Sequence, residues 1–279
     1  MTKNVNVIEL KDIKTLDPKT IEGGIVVCDQ IPCHQVLSLY AEKNIQHVVQ
    51  FSNLDSASEV KLSAKMITHP AEFIQYPISM VLGAESPSKD TEAKLSEVSF
   101  HLSNADDKYT VLSQVETFLS KFSNSSTLLY DIRLTCDELI TNSIYNAPYI
   151  DQDNKNLNPT RDKSKISIDQ KKKPYFYAGS DGSRFVVGCT DYYGRLDTQK
   201  FVERIKNCYN SNPGDQINFG EGGAGIGSFM IFDSCIRLYI AVDPGKSTSI
   251  SCVFPLRMSA QARHDLPKNL HITHSDGGI

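Results

Sequence analysis

The sequence predicts an α/β protein, on two observations. Short apolar runs alternate with amphipathic helical spacing over residues 23–68, and a helix-then-strand pattern fills residues 100–257. Between them lies a polar stretch with Gly, Ser and Pro, "GAESPSKDTEAKLSEVS" (83–99). We therefore expect a small N-terminal α/β module at 1–95, a second unit at 100–257 and a polar, poorly ordered tail at 258–279. A chain of 279 residues suits two such units.

In the first unit, "GGIVVCDQ" (23–30) reads as a buried strand ending in Asp29, and "CHQVLSLYAEKN" (33–44) as a helix. "IQHVVQFS" (45–52) reads as a second strand, and "SASEVKLSAKMIT" (56–68) as a helix opened by a serine cap. Strand–helix–strand–helix implies parallel pairing, and the unit resembles a shortened receiver-like or flavodoxin-like module. Asp29 is then either a polar strand end or an acidic phosphoryl-accepting site.

In the second unit, Asn104 or Asp106 can cap a helix bearing Val111, Leu112, Val115, Phe118, Leu119 and Phe122. The next helix is expected over about 128–147, where Pro148 helps to stop it, with Leu129, Ile132, Cys136, Leu139, Ile140 and Ser143 as its apolar stripe. Glu138 and Asn142 lie one turn apart on its other side, where they either form a wet face or converge on one point. Residues 151–165 read as a loop. "KISIDQ", "KPYFYAG" and "SRFVVGCTD" read as strands, with the turn "SDGS" between the last two. Tyr175, Phe176 and Tyr177 should pack that sheet, and Lys171–Lys173 a solvated turn. A helix over 198–209, a Gly-rich loop over 210–227 and a hairpin across "PGK" follow.

Composition excludes several classes. A formal net charge of −4 and a pI near 6.0 give no pull toward nucleic acid or anionic membrane. No apolar run approaches the roughly 18–20 residues of a membrane span, and the start lacks a signal peptide's apolar core. Seven cysteines without a CxxC pair and seven histidines without ligand spacing point to reduced thiols in a cytoplasmic protein, not to zinc or disulfides.

Two features join the Glu138 helix. Asp191 ends an apolar strand and is followed by Gly194; a carboxylate fixed there can accept from an exocyclic amine. "EGGAGIGSFMIFD" brings Gly222, Gly223, Gly225 and Gly227 to a helix start, where backbone N–H groups can meet a phosphate.

The order of these parts, closed by a strand with Thr248, resembles the GHKL nucleotide-binding superfamily of gyrase, chaperone, histidine-kinase and mismatch-repair ATPase domains. It is most similar to the anti-sigma-factor serine/threonine kinase branch, through "DIRLTCDELITN" after the 106–122 helix, and the resemblance covers about 100–256. It implies a two-layer α/β sandwich with a mixed sheet, binding ATP and Mg²⁺. Glu138 would be the general base and Asn142 a nucleotide and Mg²⁺ ligand. Asp191 would contact adenine, with Gly194 shaping its turn and Thr248 backing it. Gly223, Gly225 and Gly227 would cradle phosphate, and 205–222 would form the lid. The implied partner is a protein antagonist or sigma-like regulator, with neither nucleic acid nor membrane. Serine/threonine kinase or ATPase chemistry and a homodimer stay open, as does a degenerate, non-catalytic interaction module. This chain departs from the family's Asp-x-Gly-x-Gly by placing Tyr193 at the first glycine. Its lid has no evident cation for the γ-phosphate beyond Arg195 or Lys206, and no His-Glu/Asp phosphoacceptor helix is present.

Overall fold

Runs rich in β-branched and aromatic residues build one sheet in the computed structural model, which describes residues 5–10, 24–51, 56–83, 95–149, 168–210 and 226–275. Its strands are β1 (Val7–Leu10), β2 (Ile25–Cys28), β3 (His47–Gln50), β4 (Ser96–His101), β5 (Tyr175–Ser180), β6 (Arg184–Asp191), β7 (Arg237–Asp243), β8 (Ser247–Pro255) and β9 (Asn269–His274). They lie in the order β1-β2-β3-β9-β7-β8-β6-β5-β4. The first three are mutually parallel, as strand–helix–strand spacing requires, while β7, β8, β6, β5 and β4 form an antiparallel meander.

The helices cover both faces. On one face lie α1 (Cys33–Lys43), α5 (Asp107–Leu119), α6 (Ser126–Thr141), α7 (Thr198–Asn210) and α8 (Ile226–Ser234). Their apolar sides share one core with Val48, Val187, Ile240, Phe254 and Ile272. The other face is covered by α2 (Ser56–Thr68), α3 (Pro70–Gln75) and α4 (Pro77–Gly83), where Met66, Phe73 and Ile78 meet Val186, Tyr239 and Val253. The α/β class and mixed sheet agree with the sequence. No described helix is long and apolar enough to cross a membrane.

Local chemistry explains the helix ends. Asn44 takes a left-handed conformation (φ 54°) and closes α1 through its N–H to the Leu39 and Tyr40 carbonyls. The Asn104 side chain accepts from the N–H groups of Asp106 and Asp107 at 2.9 and 3.0 Å to start α5, and Ser125 caps α6 through the Leu128 N–H.

Three expectations are corrected. The tail is not a tail: after α9 (Ala260–His264), β9 enters the middle of the sheet, antiparallel to β3 and parallel to β7. Leu270 and Ile272 are fully buried there. The boundary near residue 95 is not a sheet boundary, because β9 stitches the N-terminal strands to the meander and β4 begins at Ser96. Finally, Ile168–Gln170 are not a strand, and the rest of "KISIDQ" lies outside the described residues, as do 151–165 and the loop over 211–225.

A buried ionic cluster fixes the stitching. Glu59 of α2 pairs with Arg237 of β7 at 2.8 Å and with His271 of β9 at 2.7 Å, with side-chain exposures of 1%, 3% and 0%. Burial would raise the Glu59 carboxyl pKa. The Arg237 charge and hydrogen bonds from His271 and Asn269 outweigh that and hold it below the usual carboxylate range. Ser63 bonds the other His271 nitrogen at 2.9 Å, and the His271 ring stacks on Tyr239 with centroids 4.6 Å apart.

Glu59→Ala should therefore cost about 3–5 kcal/mol, because it strands Arg237 in the interior. A lower urea midpoint at unchanged slope is the expected reading.

His47 makes a second test. It is fully buried beside His271, neither ring nitrogen has a hydrogen-bond partner, and burial followed by the His271 charge pushes its pKa well below the ordinary value. Below about pH 6.5 the unfolded chain takes up a proton that the folded chain refuses, so stability should fall as pH drops through that value. Urea midpoints between pH 7.5 and 5.5 should show this fall, and His47→Leu should reduce it.

Candidate functional site

The end of α6 departs from the expected continuous helix. Regular α-geometry stops at Thr141, a π-helical turn spans Asn142–Asn146, and a 3₁₀ turn covers Ala147–Tyr149. Widened turns of this kind are frequent at functional sites because they re-aim one side chain. Here the turn brings Asn146 over Asn142, whose Oδ1 accepts from Asn146 Nδ2 at 2.6 Å.

Glu138, one turn earlier, is partly buried. Burial raises its carboxyl pKa and Asp137 adds to the rise, while Lys108 opposes both. That is the direction a general base needs near neutral pH. Its carboxylate sits against the first turn of α8. A Cβ placed on Gly227 would lie 2.1 Å from Glu138 Oε2, so only glycine leaves the acid room there. Gly222, Gly223 and Gly225 lie outside the described residues.

Asp191 closes β6. Its Oδ1 accepts from the N–H groups of Tyr193 at 2.9 Å and Gly194 at 3.2 Å. Gly194 has φ +61°, and a Cβ there would meet the Asp243 carbonyl at 2.1 Å, so the turn can dock on the β7–β8 hairpin only with glycine. Burial raises the Asp191 pKa; the Tyr193 and Gly194 amides, the Thr248 hydroxyl and Lys172 work against it. Thr248 is the register partner of Asp191 on β8 and is 1% exposed. Its hydroxyl is near enough to favour the carboxylate, but without hydrogen-bond geometry, and Oγ1 stays unpartnered.

Two links hold the Glu138–Asn142 half near the Asp191–Thr248 half. The π turn packs on β6, with Ser143 beside Cys189, two residues before Asp191, and Arg195 Nη1 donates to the Pro148 carbonyl at 2.8 Å. No cluster of three or more His, Cys, Asp or Glu side chains suited to a metal occurs among the described residues. Asn142 is the described residue that would offer an oxygen to Mg²⁺, an ion that favours few protein ligands.

Two suggested cations are committed elsewhere. Lys206 pairs with Glu42 of α1, and Arg195, besides its Pro148 bond, lies 5.7 Å over the Tyr193 ring. Lys172 is no mere solvated turn residue, since its Nζ sits 4.7 Å over that same ring. The sequence reading missed Lys108, on the first turn of α5, whose Nζ lies 2.7 Å from Asp137 and donates to Thr141 at 2.9 Å. Nothing in the spacing of α5 marks it, because the contact depends on how two helices pack.

No family model matches the chain, and no curated protein matches it. Among solved structures it is similar to the SiaB–SiaC complex from Pseudomonas aeruginosa, with 14% identity over 64% of this chain and 99% of that chain, at a TM-score of 0.38. A likeness at that score carries no argument about this chain.

Gly227→Ala should leave the urea midpoint nearly unchanged, because its Cβ meets the mobile end of a side chain. It should displace the Glu138 carboxylate. A moved ¹³C resonance for the Glu138 carboxyl in an otherwise unaltered spectrum is the expected result.

Proposed function

We propose that this chain is a regulatory protein that binds ATP with Mg²⁺ and acts by exchanging protein partners, as the GHKL resemblance implies. The observation that best supports this is the Asp191–Thr248 pair. The carboxylate has spent one oxygen on backbone amides and keeps the other, while the hydroxyl beside it is buried without a partner. A buried polar group left unmade is costly, and a ring with an amine donor beside an acceptor nitrogen would satisfy both. Adenine has that edge.

In this reading the phosphates lie toward Glu138 and the start of α8, where Gly227 leaves room and the helix offers its positive end. Mg²⁺, when bound, supplies charge neutralisation of the phosphates, with Asn142 holding it. Glu138, with its raised pKa, is the residue placed to orient a water or to take the proton of a serine or threonine hydroxyl on a protein antagonist.

One observation favours a second reading, a non-catalytic interaction module. Tyr193 stands where the family has glycine, and its ring is already covered by Lys172 and Arg195. Isothermal titration with ATP and Mg²⁺ separates the two. The nucleotide reading expects saturable heat with Kd below about 1 mM, weakened roughly tenfold or more by Asp191→Asn. Absence of heat at millimolar nucleotide sinks it and leaves the interaction module.

A further inference from the structure

A triphosphate site needs a cation, and the placement of Lys108 answers that need. Its side chain is 15% exposed and reaches from α5 to the last α-turn of α6. There Nζ is held at 2.7 Å by the Asp137 carboxylate, and it donates to the Thr141 hydroxyl at 2.9 Å. An ammonium has three N–H donors, and these two contacts leave one without a partner among the described residues. Asp137 and Thr141 stand one residue before Glu138 and Asn142 respectively, on the adjoining strip of the helix, and from there the Lys108 charge acts on the Glu138 carboxylate. The local charge is also unbalanced. Among the described residues, Lys108 is the cation set against both Asp137 and Glu138, so a polyanion entering here meets net repulsion unless that ammonium turns toward it.

We propose that Lys108 is the γ-phosphate-sensing residue of this chain. With Asp137 and Thr141 as its tether, Nζ gives its third N–H to the terminal phosphate of a nucleoside triphosphate, and so makes the site prefer the triphosphate to the diphosphate. This rests on the nucleotide reading above. Lysine suits the task as a compact point charge on a flexible stem, able to follow a phosphate that is present in one ligand and absent from the other. A charge-assisted hydrogen bond of this kind is among the stronger polar contacts.

The test is a set of titrations with ATP and with ADP, each with Mg²⁺, on the intact wild-type chain, Lys108→Met and Thr141→Val. Lys108→Met should weaken ATP binding by about tenfold or more and change ADP binding by less than about twofold, erasing the preference. Thr141→Val removes a tether but not the charge, and should keep most of the preference. Equal losses for ATP and ADP in Lys108→Met, or a preference lost in Thr141→Val as well, would assign Lys108 to helix packing and overturn the proposal. An undiminished ATP affinity in Lys108→Met overturns it too, while leaving the nucleotide reading intact. A wild-type chain that binds neither nucleotide removes that reading, and the proposal with it.

Discussion

The Glu59 carboxylate is the joint on which this architecture hangs. It reaches from α2 to a guanidinium on β7 and an imidazole on β9, and so touches the N-terminal unit, the meander and the strand between them. Buried ion pairs often add little net stability over apolar residues of equal size, because desolvation consumes most of the Coulomb gain. What this one supplies is register. β9 pairs with β3 through His47–His271 and Val48–Leu270, with one further backbone bond from the Ile272 N–H to the Gln46 carbonyl. A one-residue slip of β9 would swing His271 to the opposite face, leaving Glu59 and Ser63 without it in a dry interior. The penalty for a wrong register is therefore larger than the reward for the right one.

The candidate site inherits its positions from that joint. Lys268, just before β9, caps the C-terminal end of α8 by donating to the Asp233 and Cys235 carbonyls. The other end of the same helix carries Gly227 against Glu138. β7, which bears Arg237, continues into the hairpin on which the Gly194 turn rests, and the β8 arm of that hairpin carries Thr248. On the opposite flank, α1 lies along α7, with the Tyr40 hydroxyl 2.6 Å from Thr198 and Gln199 donating to the Ala41 carbonyl at 2.8 Å. The N-terminal unit is thus built into the frame of the site, so a change in that unit has a mechanical route to α7 and the segment that follows it.

What could be read from the sequence was what is local. The α6 stripe, the strand ending at Asp191 and the 237–255 hairpin all carry their own periodicity, and they appear where the pattern puts them. β9 escaped because "NLHITH" looks polar. Its apolar content is Leu270 and Ile272, and its buried asparagine and histidine are paid for by Gln50, Glu59 and Ser63, all over two hundred residues away in sequence. Nothing near position 271 reveals those partners. The π turn is likewise invisible, since the residues 142–146 would suit an ordinary helix. Lys108 goes unmarked and Lys172 reads as a solvated turn for the same reason, because the value of a lysine depends on what the fold sets against it.

The three buried or partly buried carboxylates discussed above are not equivalent, and their inequality bears on function. All three lose solvation. Glu59 regains it in full from an arginine, a histidine and an asparagine, and its pKa ends below the usual range. Glu138 and Asp191 do not: for each, burial outweighs the nearby lysine and any hydrogen bonds, and the pKa ends raised. Selection for stability alone would favour completing such groups, as it has around Glu59, or replacing them with apolar residues. Leaving both short of compensation, one beside the unbonded Thr248 hydroxyl and the other against a glycine that makes room for it, is costly to the resting protein. That cost is intelligible if the missing interactions come from a ligand, because acids with raised pKa values in an incompletely satisfied setting are candidates for binding and catalytic positions.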